Sequence, residues 1–146
     1  MKFKIYLSGE IHSSWGNDLK EEIQRSGLEI EVLTPNVFHE ASDEVGVNIL
    51  GPETNHFWKD HKGALINSIR SKTFIEKSDV VIVKFGDKYR QWNAAFEAGF
   101  ASALGKSIIT LHDESLDHAL KEVDAAAAAV CHNPKQVVEI LRYILT

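Results

Sequence analysis

The stretch Gln91 to Lys106, QWNAAFEAGFASALGK, holds one carboxylate, Glu97, among residues that from Ala94 to Leu104 are otherwise alanine, glycine, phenylalanine or leucine, with Ser102 the other polar residue. Its pattern is that of a helix apolar nearly all round, and such a helix is buried on more than one side. Two readings of Glu97 follow. With Asn93, four residues earlier, it marks a thin solvated stripe. Alternatively the stripe faces a ligand crevice, and Glu97 lies in the first turns of a helix whose N-terminus stabilises an ionised carboxylate while burial destabilises it. A carboxylate so placed can attack an electrophilic carbon, as in covalent glycosyl transfer. A second carboxylate normally serves as the acid in such chemistry, and Glu10 and Asp87 are the candidates.

Other residues could hold a substrate for that reaction. Trp58 and Trp92 offer flat faces for a nucleobase, though tryptophans also serve as core. Lys84, Lys88 and Arg90 could neutralise a phosphate or only solvate a loop rim. Ser13 and Ser14 could cap a following helix and, with its free N–H groups, bind an oxyanion. Seven histidines show no paired metal-ligand spacing: His56 and His61 are five apart, and neither HExxH nor CxxC occurs, so no metal and no cofactor are expected.

The elements that must position these groups follow from composition and periodicity. A chain of 146 residues, 44% apolar and 25% charged, is expected to form one domain over residues 1–146. The opening MKFKIYLSG lacks the apolar run of a signal peptide, no stretch is long and apolar enough to span a membrane, and Cys131 alone makes no disulfide framework. A cytoplasmic protein without a membrane partner is expected. A net charge of −5 has the wrong sign for a nucleic-acid polymer, so an anionic partner should be small and locally held.

Short β-branched runs alternate with helical patterns. They predict strands at Lys4–Ser8, Glu29–Leu33, Asp79–Phe85, Ser107–Leu111 and Ala126–Cys131, the last in an alanine run that also favours helix. Helices are expected over Trp15–Ser26, Phe57–Ser78, Asn93–Leu104 and Pro134–Leu145, with Gly27 and Gly105 as left-handed stops and Asn133-Pro134 as a start. The result is an α/β fold, a three-layer, doubly wound, flavodoxin-like parallel sheet of five strands in the order 2-1-3-4-5. Its crevice should lie at the carboxyl ends of strands 1 and 3, lined by SGEIHSSWG and GDKYRQWN. The segment from Thr34 to His56 has little periodicity and reads as a lid or a variable surface loop.

Glu97-Ala-Gly99-Phe-Ala101 followed by Gly105-Lys106, with Ile5-Tyr6-Leu7 in the first strand, resembles the nucleoside 2-deoxyribosyltransferase superfamily. Over nearly its full length the chain also resembles the YtoQ family within that group, through WKDHK, IEKSDVVIVKFGDKYRQWNAAFEAG and ALGK. The resemblance implies a nucleoside deoxyribosyltransferase-like fold and an enzyme that cleaves or transfers the N-glycosidic bond of a nucleoside or nucleotide. Glu97 would be the nucleophile and Tyr6 the group that orients it. The turn Ser8-Gly9-Glu10-Ile11-His12-Ser13-Ser14 would receive the sugar or its 5′-phosphate, with Arg90, Gln91, Trp92, Asn93 and Trp58 as further substrate contacts. The small residues of the Glu97 helix predict cover by a second copy, hence a homodimer or higher homo-oligomer. Three positions depart from the family pattern: Gln91 and Ser71 stand where the transferases keep aspartates, and Asn93 replaces a glycine. Those departures are what a non-catalytic nucleotide-binding module would show. A signalling receiver, by contrast, needs an acidic pair after strand 1 and an aspartate ending strand 3, where this chain has only Glu10 and Lys84-Phe85.

Overall fold

The computed structural model describes residues 1–146, the side chains of His39 and His56 apart. The β-branched runs form five parallel strands: β1 (Phe3–Gly9), β2 (Ile30–Leu33), β3 (Val80–Lys84), β4 (Ser107–Leu111) and β5 (Ala129–Cys131). They are ordered β2-β1-β3-β4-β5, the order expected from the sequence. Helices α1 (Trp15–Arg25), α2 (His39–Leu50), α3 (His61–Lys77), α4 (Trp92–Ala103), α5 (Lys121–Ala125) and α6 (Pro134–Leu145) complete the three layers.

Alternation along the strands sorts the core into two faces. Ile5, Leu7, Val80, Ile82, Ile109 and Leu111 pack with Leu19 and Ile23 of α1 and with Val137, Val138 and Leu141 of α6. Tyr6, Val81, Val83 and Ile108 point the other way, onto Ile75 of α3 and Ala94, Ala98 and Ala101 of α4. Both faces of β3 are thus covered, which is why it reads as an unbroken apolar run. Asn133 caps α6 in a reciprocal capping box with Gln136. Lys106 caps a different helix. Its Nζ donates to the carbonyls of Glu76 at 2.7 Å and Ser78 at 2.9 Å, so the lysine of the Gly105-Lys106 pair ties off the end of α3.

Four expectations are corrected. The segment read as an aperiodic lid or loop contains the 12-residue helix α2. Its apolar residues form no single stripe. The helix is held instead by a glycine crossing, where a Cβ on Gly46 would fall 2.2 Å from the Gly63 backbone nitrogen. Lys62 Nζ also donates to the carbonyls of Leu50, Gly51 and Pro52 at the end of α2. The long helix expected over Phe57–Ser78 is broken into a 3₁₀ turn at His56–Trp58 and α3, with Asp60 at φ +60° between them. The alanine run is split: α5 takes Asp124 and Ala125, and β5 begins only at Ala129. Neither Ser13 nor Ser14 caps α1 through its side chain; their hydroxyls bond Glu10 and Asp18 instead. Among the described residues no helix is long and apolar enough to cross a membrane.

Because backbone, not a flexible side chain, stands in the way at the α2–α3 crossing, Gly46→Ala must push the helices apart. We expect a loss of about 1–3 kcal/mol, read as a lower urea midpoint at unchanged m-value.

Candidate functional site

The site begins with two residues of one strand. Tyr6 and Ser8 are two apart on β1, so both side chains leave the sheet on the face that carries α4. Alanines at positions 94, 98 and 101 let α4 lie close to that face, and Glu97 comes within reach of both hydroxyls. Ser8 Oγ donates to Glu97 Oε2. The Tyr6 hydroxyl donates to Ser71 Oγ at 3.3 Å and lies close enough to Glu97 to feel its charge. Ser8 and Tyr6 are fully buried and Glu97 half-buried, so the Ser8 hydroxyl holds the carboxylate from beneath, beside Tyr6, while its other side meets a cavity.

That cavity has a volume of about 290 Å³. Gly9 at the end of β1 and Ile11 beyond it, Pro35 and Asn36 after β2, and Asn93, Glu97 and Phe100 of α4 form part of its wall. The α2–α3 pair supplies the rest, with Ser42, Asn67, Arg70, Ser71 and Lys72. Asn67 Nδ2 donates to the Ser42 carbonyl at 2.9 Å and its hydroxyl at 3.0 Å, joining the two helices where they border the cavity. Arg70 and Lys72 bring positive charge opposite Glu97. Among the described residues that line the cavity, Glu97 carries the one carboxylate. Gly9, at φ +109°, turns the chain out of the sheet with no room for a Cβ, which would fall 2.0 Å from the Lys84 carbonyl oxygen.

The structure therefore brings together Tyr6, Ser8, Gly9, Asn93 and Glu97, and places the other sequence-derived candidates elsewhere. Glu10 is buried, and its carboxylate accepts from the His12 backbone N–H and the Ser13 hydroxyl, closing the turn after β1 on itself. It borders an adjoining pocket with Ser13 and Trp15, which shares Gly9, Ile11 and Pro35 with the Glu97 cavity. Ser14 is exposed. The His12 ring lies against Tyr89, with centroids 4.5 Å apart. Asp87, Arg90, Gln91 and Trp92 line a groove with Leu116, Leu120 and Val123. Gln91 accepts there from the Gly86 N–H at 3.0 Å. Trp58 packs edge-on against Phe57 and beside His61.

The expected crevice is corrected accordingly. The turns after β1 and β2 border the Glu97 cavity, whereas the turn after β3 lines a different groove. Of the α3 wall residues, Ser71 stands at a position the resemblance marks, whereas Asn67, Ser68 and Arg70 have no such mark. The spacing of those three on α3 is the only signal, and a polar stripe of that kind equally describes a solvated helix face.

Five parallel strands in the order β2-β1-β3-β4-β5 with helices on both sides make a nucleoside deoxyribosyltransferase-like fold. A 2-deoxyribosyltransferase from Bacillus psychrosaccharolyticus superposes with a TM-score of 0.58 at 17% identity, over 92% of this chain and 90% of that one. A conserved protein from Enterococcus faecalis V583 gives 0.62 at 17% identity over 95% and 96%. A CheY-like receiver domain from Methanospirillum hungatei JF-1 gives 0.53 at 14% over 99% and 94%, so the fold by itself does not choose a chemistry. Sequence narrows the assignment. The model of the family Nucleoside 2-deoxyribosyltransferase YtoQ matches residues 6–145. The uncharacterized protein YtoQ of Bacillus subtilis (strain 168) is 40% identical over 144 residues, covering 99% of this chain and 97% of its own. The chain belongs to the YtoQ family.

Burial first, and then the charge of Glu97, push the Tyr6 phenol well above the ordinary tyrosine value. The native state thus keeps a proton that the unfolded chain releases near pH 10, and stability falls as pH rises above about 10. In an alkaline absorbance titration Tyr6 should stay silent until the protein unfolds. Tyr6→Phe should remove the part of the alkaline stability loss that Tyr6 causes.

Proposed function

We propose that this protein cleaves or transfers the N-glycosidic bond of a nucleoside, nucleotide or related N-riboside, with Glu97 as nucleophile. The observation that carries the reading is the Glu97 carboxylate held by Ser8, beside Tyr6, against a cavity of about 290 Å³, close to the lower end of small-ligand pockets. Ser8 engages one carboxylate oxygen and fixes the rotamer, leaving the other to meet C1′. In the first step a bond forms between that oxygen and C1′ while the bond from C1′ to the base nitrogen breaks, the electron pair leaving with the base. In the second, water or the nitrogen of another base takes the sugar from the glycosyl ester. Arg70 and Lys72 suit a substrate that carries negative charge.

The leaving base needs a proton if it departs as an anion, and the cavity offers no second carboxylate among its described lining residues. This favours a second reading, a module that binds nucleotides without turning them over. Release of free base from a panel of nucleosides and monophosphates, followed by chromatography, separates the two. Native protein should release base, and Glu97→Ala should lower the rate by more than about a thousandfold. Undiminished activity in that variant would sink the nucleophile. Calorimetric binding without release from any substrate would establish the second reading.

Trp92 and Phe96 on α4 are 76% and 66% exposed, and Leu65 and Ile69 on α3 are 55% and 68% exposed. This apolar surface supports a homo-oligomer with a second copy over α3 and α4. Phe96→Glu should then lower the solution mass by light scattering, and a monomeric native protein would refute it.

A further inference from the structure

A second cluster of ligand-type side chains lies at the far edge of the same end of the sheet. The β4–β5 register pairs Leu111 with Cys131, and the residues that follow, His112 and His132, therefore leave the sheet side by side. Their rings are 5.6 Å apart at 80°. The turn after β4 brings Asp117 Oδ1 to 3.7 Å from His112 Nδ1. One ligand atom each from His112, Asp117 and His132 lies within 4.8 Å of the others.

The hydrogen bonds around the histidines are those that prepare imidazoles for a metal. His112 is fully buried, and its Nε2 lies 3.0 and 3.1 Å from the two Asp124 oxygens. Asp124 is fixed in turn by the Thr110 hydroxyl at 2.7 Å. A carboxylate on the outer nitrogen directs the other nitrogen to act as ligand. His132 Nδ1 lies 3.0 Å from the His112 carbonyl, the other customary outer partner of a metal-binding imidazole. A second observation points the same way. With Nε2 on a carboxylate, His112 Nδ1 faces only acceptors, the Asp113 carbonyl at 2.9 Å and the Asp117 carboxylate. That arrangement gathers oxygen donors around Nδ1, and exposed His132 and Asp117 give an ion access from solvent.

We propose that His112, Asp117 and His132 form a binding site for a divalent transition-metal ion of the zinc class, with two imidazoles, one carboxylate and a remaining position for water. The borderline N and O donors suit zinc or cobalt rather than magnesium or calcium. The site stands apart from Glu97: it is built on β4, β5 and the turn after β4, and none of its ligands lines the Glu97 cavity.

The test is titration of the tag-free, full-length protein with Co²⁺, read by visible absorption, and with Zn²⁺ in competition with a chromophoric chelator. Native protein should bind one ion per chain. His132→Ala and Asp117→Asn, both at exposed positions, should keep the native circular dichroism and each weaken binding by at least about tenfold. His118→Ala should leave binding unchanged. Absence of stoichiometric binding by native protein would overturn the site. Binding undiminished in both ligand variants would also overturn it, by placing the ion on other histidines.

Discussion

The close approach of α4 to the sheet is the constraint on which the Glu97 site depends. A helix carrying larger residues at positions 94, 98 and 101 would stand farther from β1, and Glu97 would lose the Ser8 hydroxyl and its place beside Tyr6. The same approach explains how a half-buried carboxylate is tolerated. Removing a charged group from water is costly unless hydrogen bonds replace the lost hydration, and here the buried Ser8 hydroxyl supplies one from the side of the sheet. The small residues that make α4 look like a passive wall are therefore what place its one acidic side chain.

The cavity opposite that carboxylate depends on a second close approach. Gly46 and Gly63 let α2 cross α3 almost backbone to backbone, and Asn67 bonds both the backbone and the hydroxyl of Ser42. The α2–α3 pair then stands over the end of β1 as a rigid wall lined with hydroxyl, amide and cationic groups. It carries Ser71 to Tyr6 and sets Arg70 and Lys72 across from Glu97. Local segments that the sequence presents as unremarkable thus supply most of the chemical variety of the cavity.

The sheet was legible in the sequence because its determinants are local: β-branched runs of the right length, glycine stops and the Asn133-Pro134 start. Glu97 was legible as a candidate because an isolated carboxylate on an apolar helix stands out, whereas Tyr6 and Ser8 entered only through the resemblance to the deoxyribosyltransferases. The α2 helix was not, since what holds it is a crossing with α3 and the ammonium of Lys62, neither of which marks its own residues. Asp87 and Trp92 illustrate the opposite error. They neighbour Glu97 in sequence, yet the turn after β3 carries them to a different groove. His112 and His132, twenty residues apart, escaped any spacing rule because only the pairing of β4 with β5 makes them neighbours.

Lys106 follows directly on the glycine that ends α4, and its ammonium is committed to the last carbonyls of α3. Acylation of that amine would remove its positive charge and two of its donors together, freeing the end of one helix from the start of the strand that follows another. The Gly-Lys pair, which in other settings signals phosphate binding, serves here as a hydrogen-bonded tether between two helices' ends, so a modification there would be felt in the geometry of the layer before it was felt by any ligand.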